Sequence, residues 1–390
     1  MPIIDFDPFA DENTRDPFPT YQRLLAEAPV YHNPHRDFWA ISRFEDVKAA
    51  LMDWDTYSSA EGVRIDSLLE LAGPSPLTMD PPRHRLLRNL LRKPFAPRGI
   101  YELEGTVDQV VGALLDELAD EGEVDVVSCF AKRLPVTIIC QLLGVPADQA
   151  TLLKGWADAM LETVPGQEGS TPEALRGAEQ LRNYWLAQLG DRRQAPRDDI
   201  LTTIATTLVD GEPLSVDEQV GMCNLVFEAG NATTGTLIAN SILALGTHRQ
   251  QKDWLAANPH AINESIEELL RWESPVQTLM RVAKKPVTLH GVEIPAGARV
   301  LLVLGAANRD PRVWDSPDEL RLERPLVRHL AFGDGIHHCL GAPLARLEAP
   351  IALRQFLTRY PGYEVTGVTR FHDVSMRTLK ALSIRPRGGS

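Results

Sequence analysis

From Ser215 to about Thr247 the chain reads as one continuous helix, and its length constrains everything built around it. Ser215 and Glu218 form a capping-box pair at its start. At about 1.5 Å per residue the segment spans roughly 45–50 Å, enough to cross a whole domain. The turn pair Asp210-Gly211 precedes it. Apolar residues recur at spacings of three and four over most of Gly99–Leu208, Phe44–Met52 and Pro259–Trp272, which predicts further helices. A last helix starts near Cys339, with Leu340, Leu344, Leu347 and Ile351 on one face and Pro350 expected to bend it. Short β-type pieces stand at Phe38–Ile41, Val287–Leu289 and Arg299–Leu304, and a loop runs roughly from Ser58 to Met79. The expected class is mainly α (α+β), as one domain over residues 1–390, with two domains the alternative for this length.

Composition narrows the function classes. The chain is 44% hydrophobic and 24% charged, in the globular range. A formal net charge of -13 makes nucleic acid and anionic membranes poor partners. Cys129, Cys140, Cys223 and Cys339 show no metal-pair spacing and are too few for a disulfide framework, which fits a reducing, cytoplasmic setting. The N-terminus is acidic and Pro-rich, unlike a signal peptide. The longest apolar run, Val300–Leu304, is far shorter than a membrane span.

The chemistry concentrates in Phe332-Gly333-Asp334-Gly335-Ile336-His337-His338-Cys339-Leu340-Gly341. Two glycines allow a tight turn. Cys339 stands where a helix begins, and the positive end of that helix is expected to lower its thiol pKa. Gly341 leaves room for a flat group. A buried free cysteine at a helix start is the alternative. Elsewhere, Glu268 and Arg271 form an E-x-x-R pair, a weak signal alone. In Asp80-Pro81-Pro82-Arg83-His84-Arg85-Leu86-Leu87-Arg88, His84 and Arg88 share a helix face, which suits paired anionic groups or a solvated basic stripe.

The segment Phe332–Gly341 matches F-x-x-G-x-H-x-C-x-G and resembles the haem-binding loop of bacterial cytochrome P450. The other motifs agree in order and spacing, and the resemblance covers essentially the whole chain. It implies a triangular helical prism with a small β region, and haem b lying between the long helix and the cysteine loop. It implies Cys339 as axial iron ligand, with Phe332 and Gly341 against the cofactor. It assigns His84, Arg88, Arg281 and His337 to the propionates, and Arg324 as the third member of the Glu268–Arg271 group.

The middle of the long helix reads Phe227-Glu228-Ala229-Gly230-Asn231-Ala232-Thr233-Thr234. Gly230, and a Thr233 hydroxyl bonded back to the Ala229 carbonyl, are expected to open a groove for oxygen and water. The family pattern here is A-G-x-(Asp or Glu)-Thr. Thr233 matches the alcohol, but Ala232 stands where the proton-relaying acid is usual. The relay then falls to water, Asn231 or another carboxylate. Glu228 lies one turn before Ala232 on the same side. Three roles are open to it: binding a polar or cationic substrate group, serving the relay, or pointing into water or pairing elsewhere. Expected pocket walls are the Ser58–Met79 loop, the stretch near Met160–Val164, Leu225 to Ala229, and Val276 to Met280, with Leu225, Glu228, Ala229, Val276 and Leu279 foremost.

No flavin or iron–sulfur motif is present, so electrons are expected from an iron–sulfur ferredoxin with an NAD(P)H-dependent reductase, as the resemblance implies. Arg83, Arg85, Arg88, Arg92, Lys93 and Arg98 form a basic stretch suited to an acidic partner, or an ordinary charged surface. The expected reaction is hydroxylation or O/N-dealkylation of a small organic substrate with O₂. A peroxide-driven or non-oxygenating haem-thiolate enzyme, and a haem sensor or carrier, are the rivals. Family peroxygenases usually carry Arg-Pro where this chain has Ala232-Thr233.

Overall fold

The computed structural model describes residues 4–66, 73–118, 122–160 and 170–385. The long helix is one element, Val216–Thr247. Ser215 Oγ accepts from the Glu218 amide at 3.2 Å, and the Glu218 carboxylate accepts from the Ser215 amide at 3.1 Å. Arg83 grips the same carboxylate with two 2.7 Å bonds, tying a second helix to this start. Most side chains of the long helix are buried on every side, so it forms the centre of the largest core cluster. Several of its polar residues are satisfied locally or across helices. Thr236 bonds back to the Ala232 carbonyl, and Asn224 accepts from the Trp185 indole.

Gly230 and Gly235 serve packing. A Cβ on Gly230 would lie 2.7 Å from the Ile139 side chain, and one on Gly235 would lie 3.0 Å from the Ala131 carbonyl. The helix Arg133–Leu143 is thereby drawn against the central helix. This corrects the expectation that Gly230 opens an oxygen groove: its missing side chain is filled by Ile139.

The largest sheet has five strands in the order Val30–Asn33, Phe38–Ile41, Arg299–Val303, Thr278–Ala283 and Tyr57–Ser58. Only Arg299–Val303 against Phe38–Ile41 is a parallel pair. The strand Thr278–Ala283 is buried along nearly its whole length, so no alternation marked it in sequence. Glu364–Arg370 and Leu379–Arg385 form an antiparallel pair joined by Val124–Asp125. Asp210 and Gly211 both take positive φ (56° and 86°), which closes a two-residue hairpin before the central helix.

The last helix, Ala342–Arg359, runs through Pro350. No described helix is long and apolar enough to cross a membrane.

Candidate functional site

The cysteine loop is shaped by its glycines. Gly333 and Gly335 have φ of 66° and 65°. A Cβ on Gly335 would fall 2.6 Å from the Leu51 carbonyl, so the loop can press against the helix Phe44–Met52 only with glycine there. Asp334 caps the following short turn at 2.7 Å and is held by Arg328. The Cys339 amide donates to the Phe332 carbonyl at 2.8 Å, and the Phe332 ring lies under the Arg346 guanidinium. Gly341 caps the last helix, and a Cβ there would meet no protein atom nearer than Cys339 Sγ at 3.9 Å.

Burial pushes the Cys339 thiol up. The Gly341 and Ala342 amides and the Arg88 and Arg346 guanidinium groups pull it down, but less strongly. The expectation of a thiol pKa lowered by the helix start is therefore corrected, because desolvation outweighs the amides. A bound metal ion supplies the positive charge that deprotonates such a thiol outright.

Four cation-capable side chains converge nearby. His84 is 1% exposed, and neither ring nitrogen completes a hydrogen bond, although the Ile336 backbone approaches the ring. The His84 and His337 rings meet edge to face at 4.6 Å. His337 shares a 2.9 Å hydrogen bond with Ser59 Oγ. Arg88 donates to the His338 carbonyl. Arg281 is 2% exposed and donates to the Met280 carbonyl at 2.7 Å. Burial, then Arg281, His84 and Arg88, push His337 down to about 3. Burial also takes Arg281 down to about 10, with Asp80 opposing. Asp80 itself is engaged by Ser58 Oγ at 2.6 Å and by Lys284. The cluster repels itself and lacks an anion of its own, so two carboxylates such as haem propionates fit its donor set.

A partly exposed stripe runs along the central helix. Ala229 is exposed, while Leu225, Glu228, Ala232 and Thr233 keep partial exposure in the middle of an otherwise buried element. Their spacing places them on one side. Thr233 Oγ1 donates to the Ala229 carbonyl at 2.9 Å. Asn231 does not share this face. It is 4% exposed and its amide donates to the Phe227 carbonyl at 2.6 Å, so its relay role is corrected: two residues from Thr233, it points into the protein. Glu228 is partly exposed, and no side chain among the described residues forms an ion pair with it. Burial raises its carboxyl to about 7, Arg64 opposing, and its Oε1 has no hydrogen-bond partner.

Leu279 and Arg281 alternate onto the same face of the strand Thr278–Ala283, and Val276 is half-buried just before it. Of the other expected walls, residues 67–72 and 161–164 lie outside the described residues.

Behind the loop, Glu268 receives both Arg271 bonds (2.7 and 2.8 Å), Arg324 at 3.1 Å and the Arg321 amide at 3.1 Å. Arg271 and Arg324 spend their remaining donors on carbonyls of residues 308, 315–317 and 319. The triad thus staples the irregular chain that leads into the cysteine loop.

Comparison with known proteins places this geometry. The family model described as Cytochrome P450 matches residues 256–361. Cytochrome P450 109 of Bacillus spizizenii is 37% identical over 350 residues, covering 88% of this chain and 84% of the relative. Putative cytochrome P450 123 of Mycobacterium bovis is 36% identical over 390 residues, covering 98% and 97%. A Bacillus megaterium cytochrome P450 solved in complex with testosterone superposes with a TM-score of 0.90 at 31% identity, covering 97% of this chain and all of that one. By fold, by its haem-binding loop and by these relatives, the chain belongs to the cytochrome P450 family of haem-thiolate monooxygenases.

Proposed function

We propose that the chain, acting as one domain over residues 1–390, binds haem b through Cys339. It then hydroxylates or O/N-dealkylates a small organic substrate in the cytoplasm, with electrons from an iron–sulfur ferredoxin and its NAD(P)H-dependent reductase. The balance is R–H, O₂, two electrons and two protons giving R–OH and water. Haem, when bound, supplies the activation of dioxygen. His84, Arg88, Arg281 and His337 hold its propionates, and Phe332 and Gly341 line its cysteine side.

The observation that carries the reading is Thr233 on the open stripe of the central helix. Its hydroxyl proton is committed to the Ala229 carbonyl. The oxygen therefore presents lone pairs to the cavity and orders a water there. With Ala232 bringing no carboxyl and Asn231 turned away, protons reach that water through other waters. Leu225, Ala229, Val276 and Leu279 supply apolar wall.

Electron delivery is supported on the cysteine side. Of the basic stretch, Arg83 is spent on Glu218 and Arg88 on His338, while Arg85, Arg92, Lys93 and Arg98 are exposed. These four exposed cations suit an acidic partner, whereas the groove of about 560 Å³ beside the loop is of mixed charge, with Glu104, Glu264 and Glu267 as well as Arg346 and Arg354 in its lining.

The test is reconstitution with ferredoxin, reductase and NADH. Product should form in step with NADH, and Thr233→Ala should divert electrons to hydrogen peroxide. Turnover with peroxide alone and none with the redox chain would overturn the reading.

A further inference from the structure

The partly exposed stripe of the central helix carries a single ionisable side chain, Glu228, and no side chain among the described residues forms an ion pair with it. The opposing charge that acts on it is Arg64. That guanidinium is already satisfied, by two bonds to Asp66 (2.8 and 2.6 Å) and one to Asp373 at 3.1 Å. One cation therefore stands among three carboxyl groups, and the surplus is negative. A buried carboxyl without a partner is costly to keep. At Oε1 that cost is unrelieved, because this oxygen is sealed from solvent and accepts no hydrogen bond. Such a group also has no packing advantage over the apolar side chains on either side of it in the stripe.

We propose that Glu228 is a substrate anchor, and that this cavity selects a small or mid-sized molecule bearing a protonated amine, whose apolar remainder lies along Leu225, Ala229 and Ala232. The inference rests on the monooxygenase reading above and narrows its substrate class. Charge complementarity gives the selectivity: an ammonium reduces the negative surplus of the Arg64, Asp66, Asp373 and Glu228 group, whereas a carboxylate worsens it. Geometry gives the site of attack. Thr233 lies five residues beyond Glu228, an axial rise of roughly 7–8 Å. The oxidised carbon thus sits on the order of 7 Å from the nitrogen, which favours hydroxylation remote from the amine over removal of its N-alkyl groups. Glu228 also leans toward the helix N-terminus, away from Thr233, which separates it from the proton path.

The experiment is a spectral titration of the haem-loaded ferric protein with three probes: octyldimethylamine, octyltrimethylammonium and the uncharged tert-butyl isostere of the latter. The quaternary probe cannot ligate iron, so its spectral change reports occupancy of the cavity alone. Both cationic probes should bind about tenfold or more tighter than the isostere, with displacement of the water on iron. Glu228→Gln should remove that preference and leave the affinity for the isostere unchanged, and Glu228→Asp should retain part of it. Equal binding of charged and uncharged probes, or a preference that survives Glu228→Gln, would overturn the proposal. So would a tertiary amine that binds only with the spectrum of nitrogen on iron. The reduced, CO-bound spectrum separates the two levels. A normal thiolate signature without amine preference refutes the anchor alone, whereas absence of that signature refutes the haem-thiolate reading and the anchor with it.

Discussion

Glu268→Ala is the substitution whose cost can be worked most directly. The Glu268, Arg271 and Arg324 side chains are 4%, 2% and 8% exposed, so solvent screens them little. Alanine would leave two buried guanidinium groups without their carboxylate, and the Arg321 amide without its acceptor. Breaking a buried pair in this way costs about 3–5 kcal/mol. Unfolding entropy of about 2.1 cal/mol/K per residue gives about 0.8 kcal/mol/K for a chain of this length, so Tm should fall by roughly 4–6 °C. The control is Glu117→Ala. Its partner Arg133 is 45% exposed and Glu117 is 56% exposed. A surface pair of that kind is worth under about 1 kcal/mol, so Tm should move by about 1 °C or less. Circular dichroism of the two holoproteins, followed through thermal unfolding, reads both values. Because the triad staples the chain leading into the cysteine loop, Glu268→Ala should also lose haem before it loses helicity. Equal small shifts for the two variants would refute the argument that this triad holds the loop.

Other substitutions probe the same physics elsewhere. Gly230→Ala should destabilise by about 1 kcal/mol, a gain in helix propensity being outweighed by overpacking against Ile139; Ile139→Ala in the same chain should relieve the clash, read as non-additive unfolding free energies. Arg281→Met removes a buried cation bonded to the Met280 carbonyl, and haem affinity, measured by transfer to apomyoglobin, should fall about tenfold or more. Burial holds Glu348 protonated, its pKa raised well above the carboxylate range, with neither oxygen hydrogen-bonded. Its stabilising contribution is therefore complete below an unfolded pKa of about 4.3 and is lost as pH rises through the folded value. Glu348→Gln should flatten that decline in denaturation midpoints measured across pH, and parallel profiles would refute it.

What was legible in the sequence was local. The capping box at Ser215 and Glu218, the strand Phe38–Ile41 and the helix Phe44–Met52 are set by neighbours a few residues apart, and the structure has them where the pattern put them. The cysteine loop was legible because its glycines and Cys339 sit within one short segment. The strands Thr278–Ala283, Glu364–Arg370 and Leu379–Arg385 were missed; the first and last also pair with segments far along the chain, Tyr57–Ser58 and Val124–Asp125, which no local pattern reveals. So were the hydrogen bond from Ser59 to His337, spanning 278 residues, and the Arg64–Asp373 pair beside Glu228, spanning 309. Asn231 shows how a spacing argument fails. It sits in the right motif, but two residues turn a helix by roughly 200° and carry it off the face that Thr233 occupies.

The two sets of unpaired charge in this structure explain one another. At one end of the site burial depresses His84, Arg281 and His337, with neighbouring cations adding to it at the two histidines, and on the central helix burial raises Glu228. Were stability the only constraint, the simplest relief would be a direct pair between the groups. The protein instead satisfies the intervening charges internally: Asp80 is taken by Ser58 and Lys284, and Arg64 by Asp66 and Asp373. That leaves a cationic pole and an anionic pole which do not quench each other. Each costs stability as it stands, and each becomes favourable only when a ligand of opposite charge arrives. A dianionic cofactor answers the first pole, and under the proposal above a cationic substrate answers the second. The order of binding follows from the same argument, because the cofactor supplies the surface on which the apolar part of the substrate must rest before the Glu228 contact can be made.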